Sequence, residues 1–191
     1  MRPHLRPQPR RKVRLALIGI AVTLALTGCG ASSSSGVSAA AYVKAVCGTL
    51  VTWKSDVTGA DAKLQTASSA AKSLAQGKAE YVVFVTSLVA ATQKAASGLK
   101  SAGIPNVKDG KQGATTLSQA FAQASTSLSG TIAKAKAIPT TSAAAYQAAA
   151  SGVSNEFKTS LNALASASPK RNDALRAAAA KDPTCKALNA G

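Results

Sequence analysis

Apolar residues recur at steps of three and four along this chain from about residue 39 onward, and no segment repeats them at steps of two. The first spacing places side chains on one face of an α-helix, whereas a half-buried strand requires the second. The longest apolar stripe keeps its phase past Gly59, which predicts one long helix through that glycine. Its members are Val43, Val46, Leu50, Trp53, Val57, Ala60, Leu64, Ala67, Ala71 and Leu74.

Glycine and proline residues divide the rest of this region into further helices. A second helix follows Gly77 and stops at Gly103-Ile104-Pro105, and a third ends before Pro139. A fourth begins after a cap at Thr140 or Thr141, because a threonine hydroxyl accepts a hydrogen bond from the first turn of a helix.

Four long helices with short connections predict an all-α fold, an up-and-down antiparallel four-helix bundle. A shorter C-terminal helix over about 170–180 follows Ser168-Pro169, and Asp182-Pro183 then leads the chain back to the end where it began. The seams are mostly alanine, so the large side chains supply much of the buried area. The aromatic residues expected in the core are Trp53, Phe84, Phe121 and Phe157.

A basic segment and a short apolar run precede the helical region. Residues 15–26 are twelve apolar or small residues. Basic charge followed by such a run is typical of a secretory signal peptide, and the run is shorter than the about 20 residues of a transmembrane helix. The six cations that precede it are Arg2, Arg6, Arg10, Arg11, Lys12 and Arg14.

The apolar run ends in Leu26-Thr27-Gly28-Cys29, which resembles the lipobox of bacterial lipoproteins. The resemblance implies cleavage before Cys29 and a diacylglyceryl thioether on its sulfur, with two acyl chains that hold a protein stably on a bilayer. We therefore expect a signal peptide at 1–28, a lipidated cysteine and flexible Ser-rich linker at 29–38, and one helical domain at 39–191. This domain would lie on the extracytoplasmic face of the cell membrane. Arg10-Arg11 leaves twin-arginine export open as an alternative route.

Two cysteines remain after that cleavage, Cys47 and Cys185. In an oxidising compartment an even pair predicts a disulfide, here between residues 138 positions apart. Two free thiols or a reactive pair are the alternatives, but the spacing is not the C-x-x-C of thioredoxin-like redox sites. The disulfide would close the bundle, because the helix count returns Cys185 to the start of the first helix.

The chain as a whole resembles small secreted lipoproteins of high-GC Gram-positive bacteria. Besides the lipobox, the resemblance rests on Tyr42-Val43-x-x-x-Cys47 with Trp53 following, on Gly103-Ile104-Pro105, and on Thr184-Cys185-Lys186-Ala187-Leu188. It implies a location and a helical fold but no reaction.

Catalytic side chains are scarce in the predicted domain. The sole histidine, His4, lies in the signal, so no His-based triad and no His metal ligand is available. Two S-x-x-K matches, at 69–72 and 97–100, lack the accompanying motifs of penicillin-binding proteins. Glu80 and Glu156 are candidates for a carboxylate pair across the second and fourth helices, although solvated helix faces are the favoured explanation. We expect no enzyme activity, no cofactor and no metal site.

The predicted domain keeps 17 basic against 7 acidic residues, a formal charge of +10 where the whole chain carries +16. Fifteen of the cations are lysines spread singly, without interleaved aromatics, which argues against nucleic acid as a partner. Lysines that only solubilise the helix faces are the simplest explanation of this charge. Among possible partners, anionic lipid or wall polymers fit a basic surface at this location best, and an envelope protein is a further partner class.

The sequence thus predicts a membrane-anchored binding or scaffold module in the cell envelope. The alternative is a small-molecule or lipid carrier with a slot between helices lined by Trp53, Tyr81 and Phe121. A third class, an enzyme without histidine, would require Lys, Ser and Glu to converge in one cleft.

Overall fold

The computed structural model describes residues 36–166 and 171–189. These residues form six helices and no strand: α1 Ala39–Ala70, α2 Leu74–Ser101, α3 Gly110–Lys136, α4 Ala143–Ser166, α5 Asp173–Lys181 and α6 Pro183–Asn189. The predicted signal peptide and the lipobox Leu26-Thr27-Gly28-Cys29 lie outside the described residues, as do Ser168 and Pro169. The all-α prediction is confirmed.

Helices α1 to α4 run up and down in chain order. α2 packs against both α1 and α3, α4 packs against α3, and the short helices α5 and α6 return to α1. We call the end that holds the start of α1, the α2–α3 loop, α5 and α6 the disulfide end. The end that holds the α1–α2 and α3–α4 loops is the far end.

The boundary between the first two helices differs from the prediction. α1 passes without a break through Gly59, as expected, but it ends at Ala70, and Gly77 lies in the first turn of α2. The cause is a local cap: the Ser73 hydroxyl accepts from the Gln76 N–H at 3.2 Å, and the Gln76 side chain accepts from the Lys72 N–H at 3.0 Å. These bonds satisfy N–H groups that a new helix leaves unpaired, and they outweigh the apolar phase.

The later helices also begin at caps that the apolar pattern did not identify. Ser142, rather than Thr140 or Thr141, accepts from the Ala145 N–H and starts α4. Asn172 accepts from the Leu175 N–H, so α5 begins at Asp173 instead of about residue 170.

The sixth helix was not predicted. The carboxylate of Asp182 accepts from the N–H groups of Thr184 and Cys185 at 2.8 and 3.1 Å. Pro183 then occupies the first helical position, where its missing N–H has no cost. The Asp182 cap and Pro183 at the first helical position therefore make the segment after α5 helical, where the sequence predicted only a connection to Cys185.

Buried side chains form two apolar cores. The disulfide core gathers Tyr42, Val43, Val46, Cys47, Leu50, Ala95, Leu99, Ala102, Ala114, Phe121, Ala124, Leu164, Leu175 and Cys185. The far core consists of Val85, Ala135, Ile138 and Val153, from α2, α4 and the end of α3. Of the four aromatic residues expected in the core, only Phe121 is buried; Trp53, Phe84 and Phe157 are half-buried. Alanine-rich seams leave part of a large ring uncovered.

α2 is long and apolar enough to cross a membrane by length and composition alone. Its apolar residues Val85, Leu88, Val89 and Leu99 are each at most 5% exposed between neighbouring helices. Packing between α1 and α3 accounts for these four residues.

Candidate functional site

The predicted disulfide is present. The sulfur atoms of Cys47 on α1 and Cys185 on α6 lie 2.03 Å apart, and their Cα atoms are 5.1 Å apart. Both residues belong to the disulfide core, with Cys185 only 3% exposed. The bond therefore fastens the last helix to the first at the disulfide end, as the helix count predicted.

The segment before α1 is attached to the α2–α3 loop. The Val37 N–H donates to the Ile104 carbonyl at 2.9 Å, and the Asn106 N–H donates to the Val37 carbonyl at 2.8 Å, which forms a short parallel bridge between Val37 and Pro105. Residues 36–38 of the predicted linker are thus held against the bundle. The described fold begins seven residues after Cys29.

The loop that receives this segment has a fixed conformation. Gly103 adopts a φ of +81°, a left-handed conformation that favours glycine after a helix. Pro105 is buried, and the Val107 N–H donates to its carbonyl at 2.9 Å. The side chain of Ile104 nevertheless remains 46% exposed. The loop therefore holds a large apolar side chain outward on a well-bonded backbone.

The three residues of the predicted slot do not come together. Trp53 and Phe121 meet edge to face, with ring centroids 5.4 Å apart, and the Trp53 indole N–H donates to the Thr92 hydroxyl at 3.3 Å. Tyr81 instead packs against the far core. It lies eleven residues from Thr92 on the same helix, about 16 Å along the axis.

A groove between α1 and α2 is the nearest counterpart of the predicted slot. Its volume is about 270 Å³, slightly below the range of typical small-molecule pockets. Its lining residues are Gly48, Thr49, Thr52, Trp53, Asp56, Ala91, Lys94, Ala95 and Gly98. The ion pair between Lys94 Nζ and Asp56, 3.1 Å long, lies along it. A second, open depression of about 550 Å³ runs along the start of α3 and is lined by Asp109, Lys111, Gln112, Thr115, Thr116 and Gln119.

All three tyrosines of the chain are buried or half-buried in the bundle. Burial raises the pKa of Tyr42, which is 6% exposed in the disulfide core. Burial also raises the pKa of Tyr81, which a hydrogen bond with Ser154 partly offsets, and the pKa of Tyr146, where the charge of an ionised Tyr81 adds to the effect. The Tyr81 hydroxyl lies 3.0 Å from the Ser154 hydroxyl and donates to the Ala150 carbonyl at 3.3 Å. These contacts join α2 to α4.

Four acidic residues, Asp56, Glu156, Asp173 and Asp182, form ion pairs or a helix cap. Glu156 pairs with Lys134 of α3, and no hydrogen bond or ion pair joins it to Glu80 within the described ranges. Asp182 caps α6, and Asp173 pairs with Arg176 at 3.2 Å. Across residues 36–166 and 171–189, no group of three or more His, Cys, Asp or Glu side chains is placed to hold a metal ion.

Residues that the sequence reasoning did not single out lie at the disulfide end. Val37 and Ile104 are two of the three exposed large apolar residues in the described part of the chain; the third, Val83, lies on α2. The exposed cations around them are Lys100, Lys108, Lys111 and Arg171. Gly103-Ile104-Pro105 predicts a helix stop and contributes to the family resemblance, and the isoleucine between two turn residues was the signal for an exposed apolar side chain.

No protein-family model, no curated protein and no solved structure matches this chain.

Proposed function

We propose that this chain is a lipid-anchored protein of the outer face of the cell membrane, and that its bundle acts through its surface as a binding or scaffold module in the envelope. The observation that carries the proposal is the position of the fold relative to Cys29. Gly36, the first described residue, lies seven positions after Cys29, and that stretch of chain spans at most about 25 Å when fully extended. A bundle on so short a tether works next to the bilayer.

The interior of the bundle supports action through the surface. Leu88, Leu128 and Ile138 are fully buried along the seams. The groove beside Trp53 holds about 270 Å³ and contains an ion pair. A filled seam fits a scaffold better than a carrier, which needs a larger apolar cavity.

The anchor is tested by detergent-phase partitioning of the full chain and of Cys29→Ala. Wild type is expected in the detergent phase, with a diacylglyceryl group on Cys29 by mass spectrometry. Cys29→Ala removes the thioether and is expected to lose that partition. Ser34→Ala is the matched control, because it changes the same segment and leaves Leu26-Thr27-Gly28-Cys29 intact. Equal partition of wild type and Cys29→Ala would disprove the anchor.

The binding half of the proposal is tested by crosslinking in intact cells and identification of the partners. The carrier alternative has a separate readout, because Trp53 is the sole tryptophan and lines the groove. A carrier predicts that small apolar ligands change the Trp53 emission with a saturable dependence on concentration. A scaffold predicts no such saturation.

A further inference from the structure

We infer that the disulfide end carries a membrane-docking face, formed by Val37, Ile104, Lys100, Lys108 and Lys111, that contacts the anionic surface of the bilayer. The inference rests on the proposed lipid anchor at Cys29 and adds to it an orientation and a lipid preference. We refer to these five residues as the docking face.

The tether selects this end of the bundle. The chain enters the fold at Gly36, and Val37 is hydrogen-bonded to the Ile104 carbonyl at the tip of the α2–α3 loop. α1 has 32 residues and is therefore about 48 Å long, roughly twice the greatest reach of the seven-residue tether. With the bundle upright, only the disulfide end reaches the bilayer.

The apolar part of the face is exposed and ordered before any contact with lipid. Ile104 is 46% exposed and Val37 is 36% exposed, and the hydrogen bond from the Val37 N–H to the Ile104 carbonyl holds their backbones together at the tip of the α2–α3 loop. Their conformation is already set by Gly103 and the buried Pro105, so insertion costs little ordering entropy. Val83, although 60% exposed, has no such partner and lies on the flank of α2.

The polar part of the face is complementary to anionic lipid. Lys100 is in the last turn of α2, Lys108 is in the loop and Lys111 is in the first turn of α3, and all three are exposed. Asn172 donates to the Lys108 carbonyl, which brings the exposed Arg171 to the same end. The acids at this end are the exposed Asp109, Asp173, which pairs with Arg176 at 3.2 Å, and the half-buried Asp182, which caps α6. Cations therefore outnumber acids around an apolar tip, the arrangement expected for a bilayer surface.

The test uses the full lipidated chain in vesicles of brominated phosphatidylcholine, with and without phosphatidylglycerol. Trp53→Phe removes the native fluorophore, and Ile104→Trp or Val83→Trp introduces a new one. We expect brominated lipid to quench the residue-104 indole in vesicles with phosphatidylglycerol, and to leave the residue-83 indole unquenched. Circular dichroism checks that each variant keeps its helix content. If Trp53→Phe loses helix, Trp53 is retained and its emission is subtracted from that of the variant with two tryptophans.

Charge is tested by removing the three lysines together. Lys100→Gln, Lys108→Gln and Lys111→Gln should weaken docking by about fivefold per cation, roughly a hundredfold in all, and abolish the quenching at residue 104. The matched control is Lys63→Gln, Lys72→Gln and Lys136→Gln, three exposed lysines toward the far end with the same loss of charge. In this control, brominated lipid should quench the residue-104 indole as strongly as in the protein that keeps all its lysines.

Four results would overturn the inference. Equal quenching of the indoles at residues 104 and 83 would contradict a fixed orientation on the bilayer. Quenching at residue 104 that does not depend on phosphatidylglycerol would contradict a preference for anionic lipid. If the three-lysine variant keeps its lipid quenching and instead loses binding to isolated cell-wall material, the cations serve a wall polymer. If mass spectrometry finds no lipid on Cys29, the proposed function itself fails and the tether argument fails with it, an outcome that the spectrum distinguishes from the other three.

Discussion

The two ends of the bundle are built differently. The disulfide end combines a covalent bond between α1 and α6, a backbone bridge to the α2–α3 loop and a core with tyrosine, phenylalanine, leucine and valine. The far end has a small core of four buried residues from three helices and relies on tyrosine hydrogen bonds between α2 and α4. Stability is therefore concentrated at the end where the chain enters, next to the predicted anchor.

The largest expected effect is the loss of a core aromatic residue. Phe121→Ala should lower the free energy of unfolding by about 3–5 kcal/mol, because the ring is 3% exposed and contacts Trp53. Phe84→Ala, beside the far core, should cost roughly half as much, since its ring is only half-buried. Urea denaturation measures both. Equal losses would show that the two cores contribute alike.

Removal of the disulfide is expected to have the next largest effect. Cys47→Ala with Cys185→Ala should lower the free energy of unfolding by about 2–5 kcal/mol, because the bond restricts the unfolded chain over 138 residues. Amide hydrogen exchange should speed up most in α5 and α6. Reduction of the wild type with the side chains unchanged is the control. Faster exchange at the far end instead would contradict the assignment of the bond to one end.

A close contact between α1 and α2 gives a matched pair of glycine substitutions. A Cβ at Gly98 would lie 2.8 Å from the Thr49 hydroxyl oxygen and 2.9 Å from its methyl carbon. Gly98→Ala should therefore destabilise the protein by about 1–3 kcal/mol. A Cβ at Gly59 meets open space, so Gly59→Ala should stabilise α1 by about 0.5–1 kcal/mol. Thermal unfolding distinguishes them, and the same sign for both would disprove the close contact.

The smallest expected effect is alkaline sensitivity. Burial raises the pKa of the tyrosines in the folded state above the ordinary value of 10.0. As the pH rises past 10.0 the unfolded chain loses these protons first, so the free energy of unfolding falls, by at most about 1.4 kcal/mol per pH unit for each tyrosine. Tyr42→Phe should flatten this dependence more than Tyr146→Phe, because Tyr42 is more deeply buried. Urea denaturation at a series of pH values within about one unit of the ordinary tyrosine pKa measures the slope. A steeper fall after Tyr42→Phe would contradict the prediction.

The candidate site shows where prediction from the sequence stopped. The Cys47–Cys185 bond followed from helix count and compartment, and it is present. The three residues of the predicted slot do not come together, because the apolar stripe predicts that Tyr81 and Trp53 face inward but does not predict their separation along the bundle. The pairing of Val37 with the α2–α3 loop joins residues about 70 positions apart, and no local sequence pattern predicts it.

The sequence by itself determined the helical class, the up-and-down order and the cysteine pair, because a periodicity of three to four residues is a local signal and the two cysteines of the predicted domain allow only one pairing. Only the tertiary structure decided which caps end each helix, that Asp182 and Pro183 open a sixth one, and which aromatic rings are covered. It also decided that Ile104 and Val37 lie together at the entry end, since that pairing depends on the packing of α1 against α2. Local interactions determine which segments are helical, and the packing between the helices determines which side chains remain exposed.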